Sequence, residues 1–285
     1  MTFKLEDLEK EISDIPTLPL VAHQLNVESQ KDTFTSRILA GIIEKDPPLS
    51  AKILRLSNSA YYGFSSKVST LDRAITLLGF ATLKNLACAV AISNFFAAGH
   101  EDEVDLPGLW RHCLGTATSA RQLIKIVAPG LAEEAFMAGI LHDVGSIIIF
   151  NNFPEQALEA LRLMKAKKIS QSEAEKEVIG FTHEAAGAFL VDKWNFPPRF
   201  YRIIRMHHSP PPQVIAPDDA ENLLLMAVYA GNQLSKVLGL GKSLEPVSSG
   251  VMPVAWKSLG VDPPKLRELK EQIKQDFEVF GSEWP

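Results

Sequence analysis

Apolar side chains recur along this chain at the spacing of an α-helix almost from end to end. Ile38, Leu39, Ile42 and Ile43 form one stripe, and Leu83, Leu86, Ala87, Val90 and Ala91 a second. Ile203, Ile204 and Met206 form a third, after the helix-opening pair Pro197-Pro198. No alternating run is long enough to suggest a strand. The apolar segment Ile147 to Phe150 has a strand's composition, yet it continues the helical spacing of Met137 and Leu141 and is predicted helical. Ser69 with Asp72, Ser170 with Glu173 and Asp218 with Glu221 have the spacing of helix-opening caps, where a short oxygen-bearing side chain satisfies amides of the first turn. The chain is therefore predicted to be all-α, with fewer than about one residue in twenty in strands.

The polar stretch Gly99 to Pro107 is the expected boundary between a helical half, residues 1–100, and a second half, residues 101–285. Helices are expected to begin near Leu109, Leu131, Thr182, Pro198 and Asp218. A Pro-rich loop, Ser209 to Pro217, an irregular region, Val247 to Trp256, and a charged helix, Pro264 to Phe280, complete the pattern. There is no internal repeat.

At 285 residues, 46% hydrophobic and 22% charged, the sequence is that of a globule able to bury a full core. A formal charge of -5 argues against a surface built to grip nucleic-acid phosphates. Cys88 and Cys113 sit in apolar helical context and read as two buried thiols in a reducing compartment. The N-terminus, with Lys4, Glu6, Asp7, Glu9 and Lys10 interleaved, is an amphipathic helix without a secretory apolar core, and Leu86 to Ala98 is too short to cross a membrane. These features predict a cytoplasmic protein.

Five of the seven histidines, His112, His142, His183, His207 and His208, together with Asp143, form a set that one metal pocket would use. Imidazoles with one carboxylate suit iron, manganese, zinc or nickel better than magnesium or calcium. The ligands lie tens of residues apart, with no local HxxxH or CxxC signature, so only the fold can bring them together. His23 and His100 are expected to be ordinary core or surface residues. Tyr61, Tyr62 and Phe64 form an aromatic turn expected to pack the two halves together, with a partner-binding anchor as the alternative.

The string DPPLSAKILRLSNSAYYGF from Asp46 and STLDRAITLLGFATLKNLA from Ser69 resemble the hallmark of the HDOD family, the HD-related output domain of bacterial signalling proteins. The resemblance extends to Ile15-Pro16-Thr17-Leu18-Pro19, to Trp110 with His112, to EEAFMAGILHDVGSIIIF from Glu133, to HEAAGAFLVDKW from His183, and to Leu259-Gly260. It runs from about Leu8 to Phe280, which implies a single domain standing alone, without a receiver, sensor or cyclase attached. It also implies an N-terminal helical subdomain packed on a helical half related to HD phosphohydrolases. In that half the family pattern makes His112, His142, Asp143, His183, His207 and His208 metal ligands, for one or two divalent transition ions.

The sequence departs from the metal-dependent HD enzymes at three places. The late aspartate is Asn232, whose neutral amide oxygen is a weaker ligand. The lysine that follows the dyad in HDxGK enzymes is Ser146, and Ser209-Pro210-Pro211-Pro212 stands where HD-GYP enzymes carry an acidic, Gly-rich segment. These losses fall on substrate handling more than on metal holding. The resemblance therefore implies a non-catalytic signalling module whose histidine cluster binds a metal or, occasionally, a phosphorylated small ligand, and which acts with other signalling proteins. The alternative is a metal-dependent phosphohydrolase acting on a nucleotide or cyclic dinucleotide. Lys125, Lys193, Arg202 and Arg205 are candidate cations for the alternative, but such residues on amphipathic helices mostly form solvated faces. Counting neutral imidazoles and Asp143 alone, one ion leaves about one positive charge and two leave about three.

Overall fold

The computed structural model describes residues 18–97, 104–211, 219–246 and 250–284. Among the described residues there are α-helices and one 3-10 turn, and no strand. The first half holds α1 (Leu20–Glu28), α2 (Ser36–Ile43), α3 (Pro47–Ser57), α4 (Leu71–Leu78) and α5 (Phe80–Ala97). The second holds α6 (Leu106–Ile124), α7 (Ala132–Leu141), α8 (Gly145–Asn152), α9 (Pro154–Lys167), α10 (Gln171–Val178), α11 (His183–Lys193), α12 (Pro198–Met206), α13 (Ala220–Leu238), α14 (Pro253–Ser258) and α15 (Pro263–Gly281). The proposed N-terminal helix, His100 and the Ile15 to Thr17 part of the opening motif lie outside the described residues. So do most of the Gly99 to Pro107 and Ser209 to Pro217 stretches.

Caps follow local chemistry with small corrections. Ser170 and Glu173 form the expected reciprocal box. At α4 the cap is Thr70, one residue after the expected Ser69, and it accepts from Arg73 N–H. At α13 Asp219 caps Glu221 and Asn222, and Asp218 lies outside the described residues. The helical pattern from Met137 through Phe150 is broken at 142–144, so that the His-Asp dyad sits at the junction of α7 and α8. The region expected to be irregular overlaps the start of α14, at Pro253 to Trp256.

α6 is the axis of the second half. It is buried almost all round, its small residues Gly115, Ala117, Ser119 and Ala120 allowing close neighbours on several faces, and it packs most extensively on α13 and α7. One hydrophobic cluster runs from Leu18 to Trp284 and takes in both halves. The aromatic turn serves that junction. Tyr61 and Tyr62 stand against Phe280 of α15 at 5.2 and 6.4 Å between ring centres, and the buried Arg121 donates to Tyr61 Oη at 3.3 Å while pairing with Glu133. Across the same junction Phe95 stacks on Trp194, and Asn26 donates to the Trp194 carbonyl at 2.7 Å. No single helix among the described residues is long and apolar enough to cross a membrane. The bent pair α4–α5 passes on length and composition together, and its apolar residues largely belong to the core.

Two glycines set how closely the site-bearing helices approach. A Cβ on Gly139 of α7 would fall 2.4 Å from Ala117 Cα of α6, and one on Gly145 of α8 would fall 2.0 Å from the His183 carbonyl oxygen and 2.3 Å from Gly187 N of α11. The backbone itself is the packing surface, and the atoms in the way cannot rotate aside. Gly145→Ala is therefore expected to cost about 3 kcal/mol or more through overpacking. Gly41→Ala, on α2 with nothing within 4 Å of the added methyl, should be neutral or stabilising by up to about 1 kcal/mol. Guanidinium unfolding midpoints of the two variants test this, and equal midpoints would refute the close-approach argument.

Candidate metal centre

Six of the predicted ligands converge. Asp143 lies at the centre, its two oxygens facing different imidazoles. Oδ2 is 3.1 Å from His142 Nε2 and 3.8 Å from His112 Nε2, whereas Oδ1 is 3.4 Å from His207 Nε2 and 3.6 Å from His183 Nε2. His208 Nε2 lies 3.0 Å from His183 Nε2. The six fall into two groups sharing Asp143: His112, His142 and Asp143, and Asp143, His183, His207 and His208. Asn232, the seventh predicted residue, stands beside the first group with Oδ1 at 3.1 Å from His112 Nε2.

The rings face inward because their other nitrogens are held from outside. His142 and His207 cap the C-terminal ends of α7 and α12, and each donates Nδ1–H to the carbonyl three residues back, Gly139 at 2.8 Å and Ile204 at 2.7 Å. A carbonyl can only accept, so these contacts fix the tautomer and leave Nε2 with a free lone pair. His183, the first residue of α11, meets Glu175 Oε2 through both Nδ1 at 2.8 Å and its backbone N–H at 2.7 Å. Glu175 is itself held by Gln171 at 2.6 Å. His112 Nδ1 meets Ser235 Oγ at 3.0 Å, and His208 Nδ1 lies 3.4 Å from Glu245 Oε2. Glu175, Glu184, Ser235, Lys236 and Glu245 have no counterpart among the sequence-derived candidates. Glu175 had one readable signal: with Gln171, Ala174 and Val178 it follows helical spacing on an otherwise charged helix.

Burial and charge act together here. Burial, then His142, pushes the His112 imidazole down to about 3, and burial keeps His142 and His208 below the usual imidazole range. Burial alone would raise Asp143, but the His142, His207 and His183 imidazoles overcome it and hold the carboxyl well below its ordinary value. His183 moves the other way: burial opposes its charge, yet Glu175 and Glu184 raise it well above the normal range. Burial likewise opposes ionisation of Glu184, which His183 and His207 nevertheless bring down to about 2.

The donor set fits a metal. Among the described residues His142 Nε2, His207 Nε2 and Asn232 Nδ2 are buried with no hydrogen-bond partner, and the first two are acceptors aimed at the same space. Orphaned lone pairs converging on a carboxylate cost stability unless a cation satisfies them. Nitrogen-rich donors of this kind favour first-row transition ions. The charge count from sequence needs correction, because Glu175, Glu184 and Glu245 join Asp143 while Lys236 supplies one positive charge. With neutral imidazoles the centre carries a surplus of three negative charges. One divalent ion would leave it negative, and only two would make it positive.

Residues set aside as ordinary or as candidate cations are placed elsewhere. His23 is an exposed residue of α1. Cys113 is a buried free thiol outside the ligand groups, and Cys88 is likewise buried and free. Lys125 lies beside the aromatic turn, Lys193 over the Phe189 ring and Arg202 against Glu221 at 2.5 Å, and Arg205 is exposed.

Comparison with known proteins bears on the family and the fold. A curated, uncharacterised protein of Treponema pallidum (strain Nichols) is 26% identical over 222 residues, covering 77% of this chain; the chain spans only 42% of that relative's length. A crystal structure of an HDOD domain protein from Geobacter sulfurreducens, of unknown function, shares the fold with a TM-score of 0.80 at 22% identity, covering 98% of this chain and 96% of that one. A Shewanella amazonensis SB2B structure, named as a candidate phosphohydrolase, has a TM-score of 0.74 at 25% identity over 98% of both chains. The HDOD domain matches residues 15–210, which include the aromatic turn, the His-Asp dyad and the double histidine: the chain belongs to the HDOD family.

Proposed function

We propose that this protein is a bacterial signalling module whose centre binds two divalent transition ions and a phosphorylated small ligand without hydrolysing it, and which acts on other signalling proteins. The observation that carries this reading is the enclosure of the centre. His112, His142, Asp143, His183 and His207 are all buried, and the remaining ligand, His208, is plugged on its outer side by Glu245. Hydrolysis needs an ion with an open position and cations that meet the charge developing on the phosphoryl oxygens. Ser146 offers only a hydroxyl, and Lys236 is already paired. A bound metal would supply Lewis acidity; the chain's own residues hold it, fix the imidazole tautomers and exclude water. A uniformly held ground state gains no rate.

A second reading, a metal-dependent phosphohydrolase, is favoured by the two-faced Asp143 carboxylate, since a carboxylate shared by two ions is a common basis of in-line phosphoester cleavage.

Elemental analysis of the purified protein should find about two transition ions per chain, and His142→Ala Asp143→Ala should remove them. Protein reconstituted with Mn, Fe, Ni or Zn should leave nucleotides and cyclic dinucleotides intact. Metal-dependent hydrolysis by the parent, absent from the double variant, would establish the enzyme instead.

Asn232→Asp adds a carboxylate to a centre already rich in them. It should tighten metal binding about tenfold and weaken phosphate binding to the loaded protein by a similar factor. Chelator competition and calorimetry read the two effects, and a rise in both affinities would contradict the charge count.

Metal uptake should also release protons and weaken as pH falls. The raised His183 holds a proton that an ion at Nε2 must displace, and protons compete for every other imidazole lone pair. Chelator competition at pH 6 and pH 8 checks the direction: equal affinities at the two values would rule out imidazole ligation.

A further inference from the structure

Lys236 follows Asn232 by one turn of α13, so the two share a face of the helix. Its side chain is only 2% exposed, a burial that lysine accepts when paired. The partner is Glu245, with Oε2 at 2.9 Å from Nζ. The same oxygen is 3.4 Å from His208 Nδ1, and Oε1 accepts from the backbone N–H of Gln171, at the start of α10, at 3.1 Å. Glu245 thus ties together a metal-type ligand, an ammonium and a helix N-terminus.

Glu245 arrives on a strap, residues 239–246, that leaves α13 and turns back over the centre. Leu240 accepts from Ser235 Oγ at 3.1 Å, and Lys242 N–H donates to the Gly108 carbonyl at 2.8 Å. Gly241, at φ +87°, lies so close to α6 that a Cβ there would be 2.2 Å from His112 N. These backbone contacts end before Glu245, so among the described residues the far end of the strap is fastened by Leu244 on the core and by the Glu245 carboxylate. On the outer side Glu245 forms one wall of a cavity of about 420 Å³ with Met164, Ile169, Leu244, Lys165 and Lys168. Both lysines are exposed, so a carboxylate swung outward would meet two ammonium groups.

We propose that Lys236 is the phosphate-binding cation of the loaded centre and that Glu245 is a latch occupying it. A phosphate group displaces the Glu245 carboxylate, takes its place against Lys236 and reaches the His183, His207 and His208 side of the centre, while the far end of the strap turns outward. The ammonium compensates for the cation missing at Ser146, and its field already reaches both His112 and His208. Ligand occupancy then changes the shape of residues 239–246 on the surface, the kind of change a partner protein can read. The inference rests on the metal-bound reading above.

The test uses the full chain loaded with Mn or Zn, metal content measured for each variant, and inorganic phosphate as the probe in calorimetry. Lys236→Met should weaken phosphate binding about tenfold with metal content unchanged, because it removes a charge-assisted contact. Glu245→Gln should strengthen it about tenfold, and the double variant should be as weak as Lys236→Met alone, since no cation remains to uncover. Parent-like affinity in Lys236→Met, or a gain from Glu245→Gln that persists in the double variant, overturns the proposal. If Glu245→Gln loses its ions, Lys236→Met alone decides. A parent that takes up no metal removes the underlying reading and this inference with it, whereas a loaded parent indifferent to both variants removes only the latch.

Discussion

The second half of this protein is organised around one buried carboxylate. Asp143 sits between two sets of imidazoles, one oxygen toward each, and a carboxylate buried this far keeps its charge only beside positive charge, whether on a ring or on an ion. To surround it, the ends of α7 and α12, the start of α11 and the middle of α6 must converge within hydrogen-bonding range. Gly139 and Gly145 let α7 and α8 press against α6 and α11, and the small side chains along α6 allow α13 to bring Asn232 alongside. The same convergence makes the centre negative. Its need for cations is a property of the fold as well as of the ligands.

Much of this was legible in the sequence. Helical periodicity alone gave the fold class, and the resemblance of the dyad and double-histidine segments to a known family picked out six residues that meet in space. Periodicity failed at residues 142–144, because Leu141 and Ile148 remain in phase although the chain turns between them. It could not choose between Ser69 and Thr70 as a cap, since either side chain offers an oxygen and only backbone geometry decides which one reaches the first-turn amides. The outer partners were illegible for a deeper reason. Glu175 and Glu245 lie in segments whose composition reads as solvent-facing, and Lys236 stands in the last turn of α13, where a lysine ordinarily reaches solvent; it is the packing of α10, α13 and the strap on the centre that buries them. With one divalent ion, the charge counted from the ligands alone is therefore positive, whereas the charge counted in space is negative.

The five imidazoles are held in two different ways. His142 and His207 are fixed by carbonyls at the ends of their own helices, so their orientation is built into α7 and α12 and changes only if those helices move. His112, His183 and His208 are fixed by side chains from other elements: Ser235, Glu175 and Glu245. A hydroxyl and carboxylates at these positions set how basic each ring is, since a carboxylate behind an imidazole strengthens its donor nitrogen. Fine control of the centre therefore lies outside the ligands. The side with two carboxylate-backed rings, His183 and His208, is also the side that the strap covers. On the proposed latch, whatever moves the strap would alter the donor strength of His208 and uncover a lysine in the same step, linking ligand binding to surface shape through one carboxylate. Such linkage would need no chemistry at a metal, and under the proposed reading it would give an enclosed centre with a weakened catalytic complement a use in signalling.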